Sequence, residues 1–116
     1  MLPTMAIILH ITRRIEWEKA TAKGRYEPAS LQKQGFIHCS MPEQIIRVAN
    51  SHFRGKRGLM LLCIDTEKVT ADIRYESPDG GPEQFPHIYG VLNIDAVVNV
   101  VDFKPAEDGI FSLPPH

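Results

Sequence analysis

Gly35-Phe36-Ile37-His38-Cys39-Ser40 is the most informative stretch of this chain. Its apolar residues predict a short buried strand, in which His38 occupies a position where an apolar residue is expected. Side chains alternate between the two faces of a strand, so His38 and Ser40 share one face while Cys39 points to the other. The stretch therefore predicts a strand with polar groups on one side.

Two further segments have the same character. His10-Ile11-Thr12 ends an apolar run that begins at Ala6, and Phe85-Pro86-His87-Ile88-Tyr89-Gly90 begins another. If both are strands, His10 shares a face with Thr12, and His87 shares a face with Tyr89. Three strands that each carry a histidine could line one cleft.

Predicted helices and strands alternate along the rest of the chain. Apolar or branched runs at 6–12, 36–40, 59–65, 69–76, 87–92 and 96–103 predict strands, while 14–23 and 41–53 predict helices, with one helical turn at 29–34. The run 59–65 is apolar nearly throughout, which predicts a central strand buried on both faces. Helices early and strands late indicate a single α+β domain over residues 1–116, with about six strands and two main helices.

The second main helix has a predicted start and end. Ser40-Met41-Pro42-Glu43 has the form of a capping box, with Ser40 at the N-cap and Glu43 at the third helical position. The helix is expected to end near Phe53, before the cations and glycines of 54–58. Its apolar spacing predicts four buried residues: Ile45, Val48, Ala49 and Phe53.

Composition and charge argue against several classes of protein. The chain has 116 residues, 43% of them hydrophobic, and a net charge of −1, so bulk electrostatic binding to nucleic acid is not expected. The apolar runs are too short to span a membrane, and residues 5–9 are too short for a signal-peptide core, so we expect a cytoplasmic protein. Cys39 and Cys63 match no zinc motif and indicate buried, reduced thiols.

The histidines are the leading candidates for contact with a ligand. His38 shares a face with Ser40 and precedes a helix N-terminus, where free N–H groups favour anions. His10 ends its strand beside Thr12, and it either contacts a ligand or is bonded to a neighbouring backbone carbonyl. His87 has two interpretations as well, a role in backbone positioning or a role in chemistry.

Aromatic, acidic and basic residues supply further candidates. Tyr89 could stack on a base or a nicotinamide ring, although packing in the core is the favoured interpretation. Glu76 could orient a nucleophile or a ribose hydroxyl, or be merely exposed. Arg54, Lys56 and Arg57 either hold phosphates or form a solvated loop. Three histidines on one face could bind zinc or copper, but no short ligand spacing supports this, so no metal is expected.

A larger set of residues is informative through its order along the chain: His10-Ile11-Thr12, Trp17, Ala20, Gly24, Tyr26, Pro28, Ser30-Leu31, Gly35-Phe36-Ile37-His38-Cys39-Ser40, Gln44, Val48-Ala49-Asn50, Tyr75-Glu76 and Phe85-Pro86-His87-Ile88-Tyr89-Gly90. This order closely resembles DUF952, a family of small, mostly bacterial proteins of unknown function. Its members are often loosely labelled glutathione S-transferase-related. That label finds no support in these residues, because the chain is too short for both a thioredoxin-like half and an all-helical half.

The family in turn looks like a distant relative of the ADP-ribosyltransferase fold, nearest to the RNA 2′-phosphotransferases. His10-Ile11-Thr12 is similar to the His-Gly-Thr type of first motif, in which the histidine meets the adenosine ribose of NAD. Ile37-His38-Cys39-Ser40 is similar to the Val-His-Leu-Ser of the phosphotransferases. The resemblance implies a split, strongly twisted sheet and a nucleotide-like ligand.

This chain departs from the phosphotransferases at two motifs. Gly35 and Phe36 stand where those enzymes carry an Arg-His pair that clamps phosphate. The third motif holds His87 in place of a glutamate, with Glu76 and Glu83 upstream as substitutes. A placed carboxylate helps to stabilise the positively charged ribosyl transition state of NAD cleavage, so the second departure bears on transferase activity.

These observations lead to one main hypothesis and two alternatives. We predict an ADP-ribosyltransferase-like α+β fold and a cleft lined by six residues: His10, Thr12, His38, Ser40, His87 and Tyr89. The cleft would bind NAD, as a substrate, or an ADP-ribose-like ligand. The reaction would be transfer to or from the ribose, and the catalytic candidates are His38, His10 and Glu76. The alternatives are a non-catalytic module that binds a nucleotide or an ADP-ribosylated partner, and a small metal-binding protein.

Overall fold

The computed structural model describes residues 6–113 of the chain. Within that range, eight strands and three helices follow one another: β1 Ile7–Arg13, α1 Arg14–Lys23, β2 Arg25–Tyr26, α2 Ala29–Gln34, β3 Ile37–His38, α3 Ile45–His52, β4 Leu59–Asp65, β5 Asp72–Glu76, β6 Phe85–Tyr89, β7 Leu92–Asn93 and β8 Val97–Phe103. Short 3-10 turns at Thr66–Lys68 and Ile94–Ala96 precede β5 and β8. None of the helices described is both long and apolar enough to cross a membrane.

The α+β class is confirmed, and several elements lie where the sequence predicts them. Helix α1 has the predicted bounds, and Gly24 ends it at φ 89°, a left-handed conformation that costs a glycine little because it has no Cβ. The helical turn predicted at 29–34 is α2, and with the two main helices it accounts for the three helices of residues 6–113. The predicted number of about six strands was too low, because β2 and β7 have two residues each, which is too short for a periodic pattern to identify.

The strands form three antiparallel sheets, in the orders β1-β4-β8, β3-β6-β5 and β2-β7. Strand β4 is the centre of the first sheet and is buried along most of its length, as predicted for 59–65. The first and second sheets meet where Leu9 and Ser40 exchange two backbone hydrogen bonds of 2.8 Å. The predicted strand 36–40 is therefore a two-residue ladder, β3, followed by this bridge.

The hydrophobic core lies on both faces of the first sheet. On one face, Ile8 and Leu62 pack with the apolar residues of β3 and β6, including Ile37 and Ile88. On the other face, apolar residues of β1 and β4 pack against α3 and the C-terminal segment that contains Phe111. The two clusters explain why β1 and β4 are apolar at nearly every position rather than at alternate ones.

The predicted capping box was wrong. Helix α3 begins at Ile45, and Ser40 cannot cap it because its backbone is held in the bridge with Leu9. The side chain of Gln44 organises this turn instead. Its Oε1 accepts from the Met41 N–H at 2.9 Å, and its Nε2 donates to the Gln84 carbonyl at 2.8 Å. A buried glutamine therefore joins the start of α3 to the loop before β6.

One buried imidazole is bonded to parts of all three sheets. Nδ1 of His10, in β1, lies 2.5 Å from the His38 carbonyl oxygen in β3, and Nε2 lies 2.7 Å from the Tyr26 hydroxyl in β2. A carbonyl only accepts, so Nδ1 carries the ring proton and Nε2 accepts from Tyr26. Because that donation uses the single hydroxyl proton of Tyr26, Thr12 Oγ1, at 3.0 Å, donates to Tyr26. Of the two interpretations of His10, the bond to a backbone carbonyl is observed.

Burial lowers the pKa of His10 from 6.5 to about 4, although the bond to the His38 carbonyl partly offsets this effect. The ring is therefore neutral at pH 7, as the hydrogen-bond pattern requires. Burial also raises the pKa of Tyr26 to about 12, so its hydroxyl remains a donor. The three sheets are thus joined by a chain of neutral hydrogen bonds.

We expect the free energy of unfolding to decrease as the pH falls from 6.5 to about 4. The pKa of His10 is lower in the folded protein than in the unfolded chain, so protonation favours the unfolded chain. The contribution of His10 to the free energy of unfolding, about 3 kcal/mol, is fully present above the unfolded-state pKa of 6.5 and is lost as the pH falls through the folded-state pKa of about 4. Urea unfolding at a series of pH values measures it.

The matched variants are His10→Gln, which removes the titrating ring, and His52→Gln, which changes an exposed histidine. His10→Gln should be less stable at pH 7 and should flatten the dependence on pH, while His52→Gln should retain it. A smaller residual slope is expected, since desolvation also lowers the pKa of His38. If the free energy of unfolding of His10→Gln depends on pH as steeply as that of the unmodified protein, His10 is not the source of the dependence.

We expect Leu62→Ala to destabilise the protein by about 2–5 kcal/mol, because it leaves a cavity in the core. Leu62 is 0% exposed and lies in the middle of the central strand. Val98→Ala, on the neighbouring strand β8, is the control: Val98 is 42% exposed, and its truncation should change stability by no more than about 0.5 kcal/mol. Urea denaturation at pH 7 measures both, and similar losses in the two variants would contradict this account of the core.

Candidate functional site

A cavity of about 570 Å³ lies beside the polar positions of β1, β3 and β6, and we call it the histidine cavity. Its described polar lining residues are four histidines and three residues with hydroxyl groups: His10, His38, His52, His87, Tyr26, Ser30 and Ser40. The rest of the described lining is apolar and includes Leu9, Ile45, Val48 and Phe53. None of the described lining residues is Asp, Glu, Lys or Arg.

The structure brings together four of the six residues predicted to line a cleft. His10, His38, Ser40 and His87 line the histidine cavity, since β3 and β6 pair with His38 directly opposite His87. The other two lie elsewhere: Thr12 lines a second cavity, and Tyr89 is not among the described lining residues of either. Alternation along a strand gave the shared face correctly, but it could not show where along that face the cavity ends.

Tyr89 and Glu76 form a cluster with His87 at the side of the histidine cavity. The carboxylate oxygen Oε1 of Glu76 lies 2.8 Å from His87 Nδ1 and accepts from the Tyr89 hydroxyl at 2.5 Å. The hydrogen bonds from Tyr89 and His87 lower the pKa of Glu76. Phe36 stacks on the His87 ring with 4.1 Å between centroids and also contacts Tyr89.

His38 lies at the exposed side of the same cavity. Its Nε2 lies 2.6 Å from Oε1 of Gln34, and its ring centroid is 5.6 Å from that of His87. Burial, and then the neighbouring His87 and His52, lower the pKa of His38. Of the two facing histidines, His38 on β3 is therefore more accessible than His87 on β6, which is only 3% exposed.

Sequence patterns did not predict His52 or Phe53 as site residues, although both line the cavity at the end of α3. One signal was present: Val48 and His52 are four residues apart, so they share a face of the helix. Phe53 was predicted to be buried and is half-buried: it packs against the core cluster beside α3 and also lines the cavity.

A second cavity of about 520 Å³ adjoins the first, and we call it the basic cavity. Its charged lining residues are Arg13, Glu16, Lys56 and Arg57. Arg13 forms an ion pair of 2.8 Å with Glu16, whereas Lys56 lies 5.6 Å from the ring centroid of Phe53. Of the three cations proposed from the sequence, Lys56 and Arg57 line this cavity and Arg54 does not.

The two cavities are adjacent because four residues line both of them: Ile11, Tyr26, Pro28 and Phe53. Three of these four are ring-bearing, with an aromatic or proline ring. The combined space therefore has a neutral, histidine-rich part and a cationic part, with a partly aromatic wall between them.

Cysteine and metal chemistry find little support in this geometry. Residues 6–113 contain no group of three or more His, Cys, Asp or Glu side chains arranged to hold a metal ion. Cys39 and Cys63 are both free, the first buried and the second half-buried. Burial raises the pKa of both thiols, which disfavours the reactive thiolate.

The fold is similar to solved structures of one bacterial protein, CC0527 from Caulobacter crescentus. Its crystal structure and that of a double mutant each have 36% sequence identity and a TM-score of 0.82, over 91% of this chain and 93% of theirs. The solution NMR structure of the same protein has 37% identity and a TM-score of 0.80, over 91% of both chains. None of the three is described as an ADP-ribosyltransferase, so that relationship stays a prediction.

Sequence comparison identifies the family. No curated protein is detectably similar to this chain. The model of the family described as protein of unknown function (DUF952) matches residues 11–100, which contain α1 to β7, the end of β1 and three of the four histidines of the histidine cavity, His38, His52 and His87. Because the match spans most of the chain, the protein belongs to the DUF952 family.

Proposed function

We propose that this protein binds a nucleotide-type ligand, such as NAD or ADP-ribose, across the histidine cavity and the basic cavity. The observation that carries the proposal is the adjacency of the two cavities, which share Ile11, Tyr26, Pro28 and Phe53. Each nucleotide half of such a ligand has the same division, with an uncharged base and sugar on one side and anionic phosphate, at the 5′ position of the sugar, on the other. The two halves of the space match these two parts in polarity.

The histidine cavity suits the uncharged part of such a ligand. Its volume of about 570 Å³ lies within the range of about 300–1,000 Å³ that small-molecule sites have. Apolar walls with a few polar groups are the usual composition of such sites, because the apolar surface supplies binding energy and the polar groups fix orientation. Ser40 is a buried residue of this wall, and we assign its hydroxyl to contact with the sugar.

The basic cavity suits phosphate. Lys56 and Arg57 follow Gly55 and precede Gly58, so both cations belong to a short loop between α3 and β4. Charge-assisted hydrogen bonds from Lys and Arg to phosphate oxygens are about twice as strong as neutral ones. The net charge of the whole chain is −1, so this attraction is local and does not imply binding to nucleic acid.

Binding without turnover is the second candidate, and one observation favours it. The described lining of the histidine cavity contains no carboxylate, and Glu76 lies beyond His87, to which it is bonded. Glu16, in the basic cavity, is paired with Arg13. A ribosyl cation in the histidine cavity would therefore lack a direct carboxylate contact among the described residues, which is a disadvantage for NAD cleavage.

We expect ADP-ribose and NAD to bind saturably, and the double variant Lys56→Gln/Arg57→Gln to bind them about tenfold to a hundredfold more weakly. The reason is the loss of charge-assisted bonds to phosphate. Adenosine, which has no phosphate, should bind equally to both proteins. Backbone amide chemical shifts followed during the titrations measure the affinities and locate the site.

The matched control is Lys33→Gln/Lys104→Gln, which removes the same charge from exposed positions outside both cavities. It should bind ADP-ribose as the unmodified protein does. No shifts at millimolar nucleotide, or equal weakening in the two double variants, would refute the proposal. NMR spectra of NAD during prolonged incubation then separate an enzyme, which forms a product, from a binding module, which leaves NAD unchanged.

A further inference from the structure

Glu76 and His87 lie on neighbouring strands with their side chains on one face of the sheet. In the pairing of β5 with β6, Glu76 is opposite Phe85 and Arg74 is opposite His87, so the carboxylate reaches the imidazole diagonally. Oε1 lies 2.8 Å from Nδ1 of His87. The same oxygen accepts from the Tyr89 hydroxyl. The carboxylate is thus held by two groups of β6.

These contacts determine which nitrogen of His87 carries the proton. An ionised carboxylate only accepts hydrogen bonds, so Nδ1 must donate to Glu76. In the neutral ring, Nε2 then has a lone pair and no hydrogen. A carboxylate that fixes the tautomer of a histidine in this way is a general means of directing the other ring nitrogen toward a substrate or a metal.

Nε2 of His87 is open to the histidine cavity. Every fully buried side-chain nitrogen and oxygen among residues 6–113 has a hydrogen-bond partner. Within that part of the chain, the His87 side chain is hydrogen-bonded through Nδ1 to Glu76 and not through Nε2. Since Nε2 has no partner among these residues, it is not fully buried and must be reached by solvent. His87 is 3% exposed and lines the cavity, while Glu76 is not among the described lining residues. The solvent-accessible space beside His87 is therefore this cavity.

The ring is held rigidly in this orientation. Phe36 stacks on it with an angle of 19° between the ring planes. Arg74 lies over the ring of Tyr89, with 4.4 Å between its Cζ and the ring centroid. Tyr89, whose hydroxyl is the second donor to Glu76, is thus covered by this guanidinium group. His10, in contrast, uses both ring nitrogens within the protein. Of the two buried histidines of the cavity, His87 is therefore the one whose ring, when neutral, keeps a lone pair that the protein does not use.

We propose that His87 is the group in the histidine cavity that accepts a hydrogen bond from a hydroxyl of the ligand, and that Glu76 is its positioning residue. The ligand class is a sugar phosphate or a nucleotide with an unmodified ribose, rather than its deoxy analogue. This inference rests on the proposed function for the ligand class. The state of His87 in the free protein can be tested without any ligand.

The first experiment measures the protonated ring nitrogen of His87 by ¹⁵N–¹H correlation NMR of the histidine rings in the free protein above pH 7. We expect the Nδ1–H tautomer in the unmodified protein, a mixture of tautomers in Glu76→Ala, and partial recovery in Glu76→Gln, whose amide oxygen still accepts. Glu83→Ala removes a neighbouring carboxylate that pairs with Arg47 and should leave the His87 signals unchanged. An Nε2–H tautomer, or no effect of Glu76→Ala in a folded variant, overturns the inference.

The second experiment compares ribose 5-phosphate with 2-deoxyribose 5-phosphate. We expect the deoxy sugar to bind about tenfold more weakly to the unmodified protein, and Glu76→Ala to weaken only the binding of ribose 5-phosphate. Equal affinities for the two sugars overturn the assignment to a hydroxyl. Failure of both sugars and of all nucleotides to bind refutes the proposed function and the ligand class together, and the tautomer measurement then decides the role of Glu76 alone.

Discussion

The hydrogen-bonded ring of His10 is the interaction on which the rest of the structure depends. It links β1, in the first sheet, to the His38 carbonyl of β3 and to Tyr26 of β2. A buried polar group without a partner costs about 1–3 kcal/mol, so an arrangement of the three sheets that satisfies both ring nitrogens is favoured over one that leaves either of them unpaired. The histidine that the sequence placed near the end of an apolar run is therefore the residue that joins the three sheets.

The cavities lie at this junction for a physical reason. The first and second sheets are separate ladders whose backbones pair at the bridge between Leu9 and Ser40, close to the bond from His10 to the His38 carbonyl. Apolar side chains of the two sheets pack together in one core cluster, and polar positions of β1, β3 and β6 line the histidine cavity beside it. His10, whose two ring nitrogens are both bonded within the protein, and His87, which is bonded through Nδ1 to Glu76, line the same space.

Much of the fold could be predicted because it depends on local pattern. The apolar run of β4 and the glycine after α1 identify these elements without any knowledge of their neighbours. The capping box failed because Ser40 had a competing partner, the backbone of Leu9, which no local pattern shows. The site was predicted in part for the same reason: alternation grouped His38 with Ser40, but it could not place Thr12 outside the histidine cavity or bring His52 to its wall.

By itself, the sequence determined the longer elements, the faces that their side chains share and the family to which the chain belongs, because these depend on residues close together in the chain or on their order. Only the tertiary structure decided which nitrogen of each histidine is occupied and which faces a cavity. Glu76 and His87 are brought together by strand pairing, and Tyr26 reaches His10 across two sheets. Such contacts depend on how the sheets pack, and packing is a property of the whole chain.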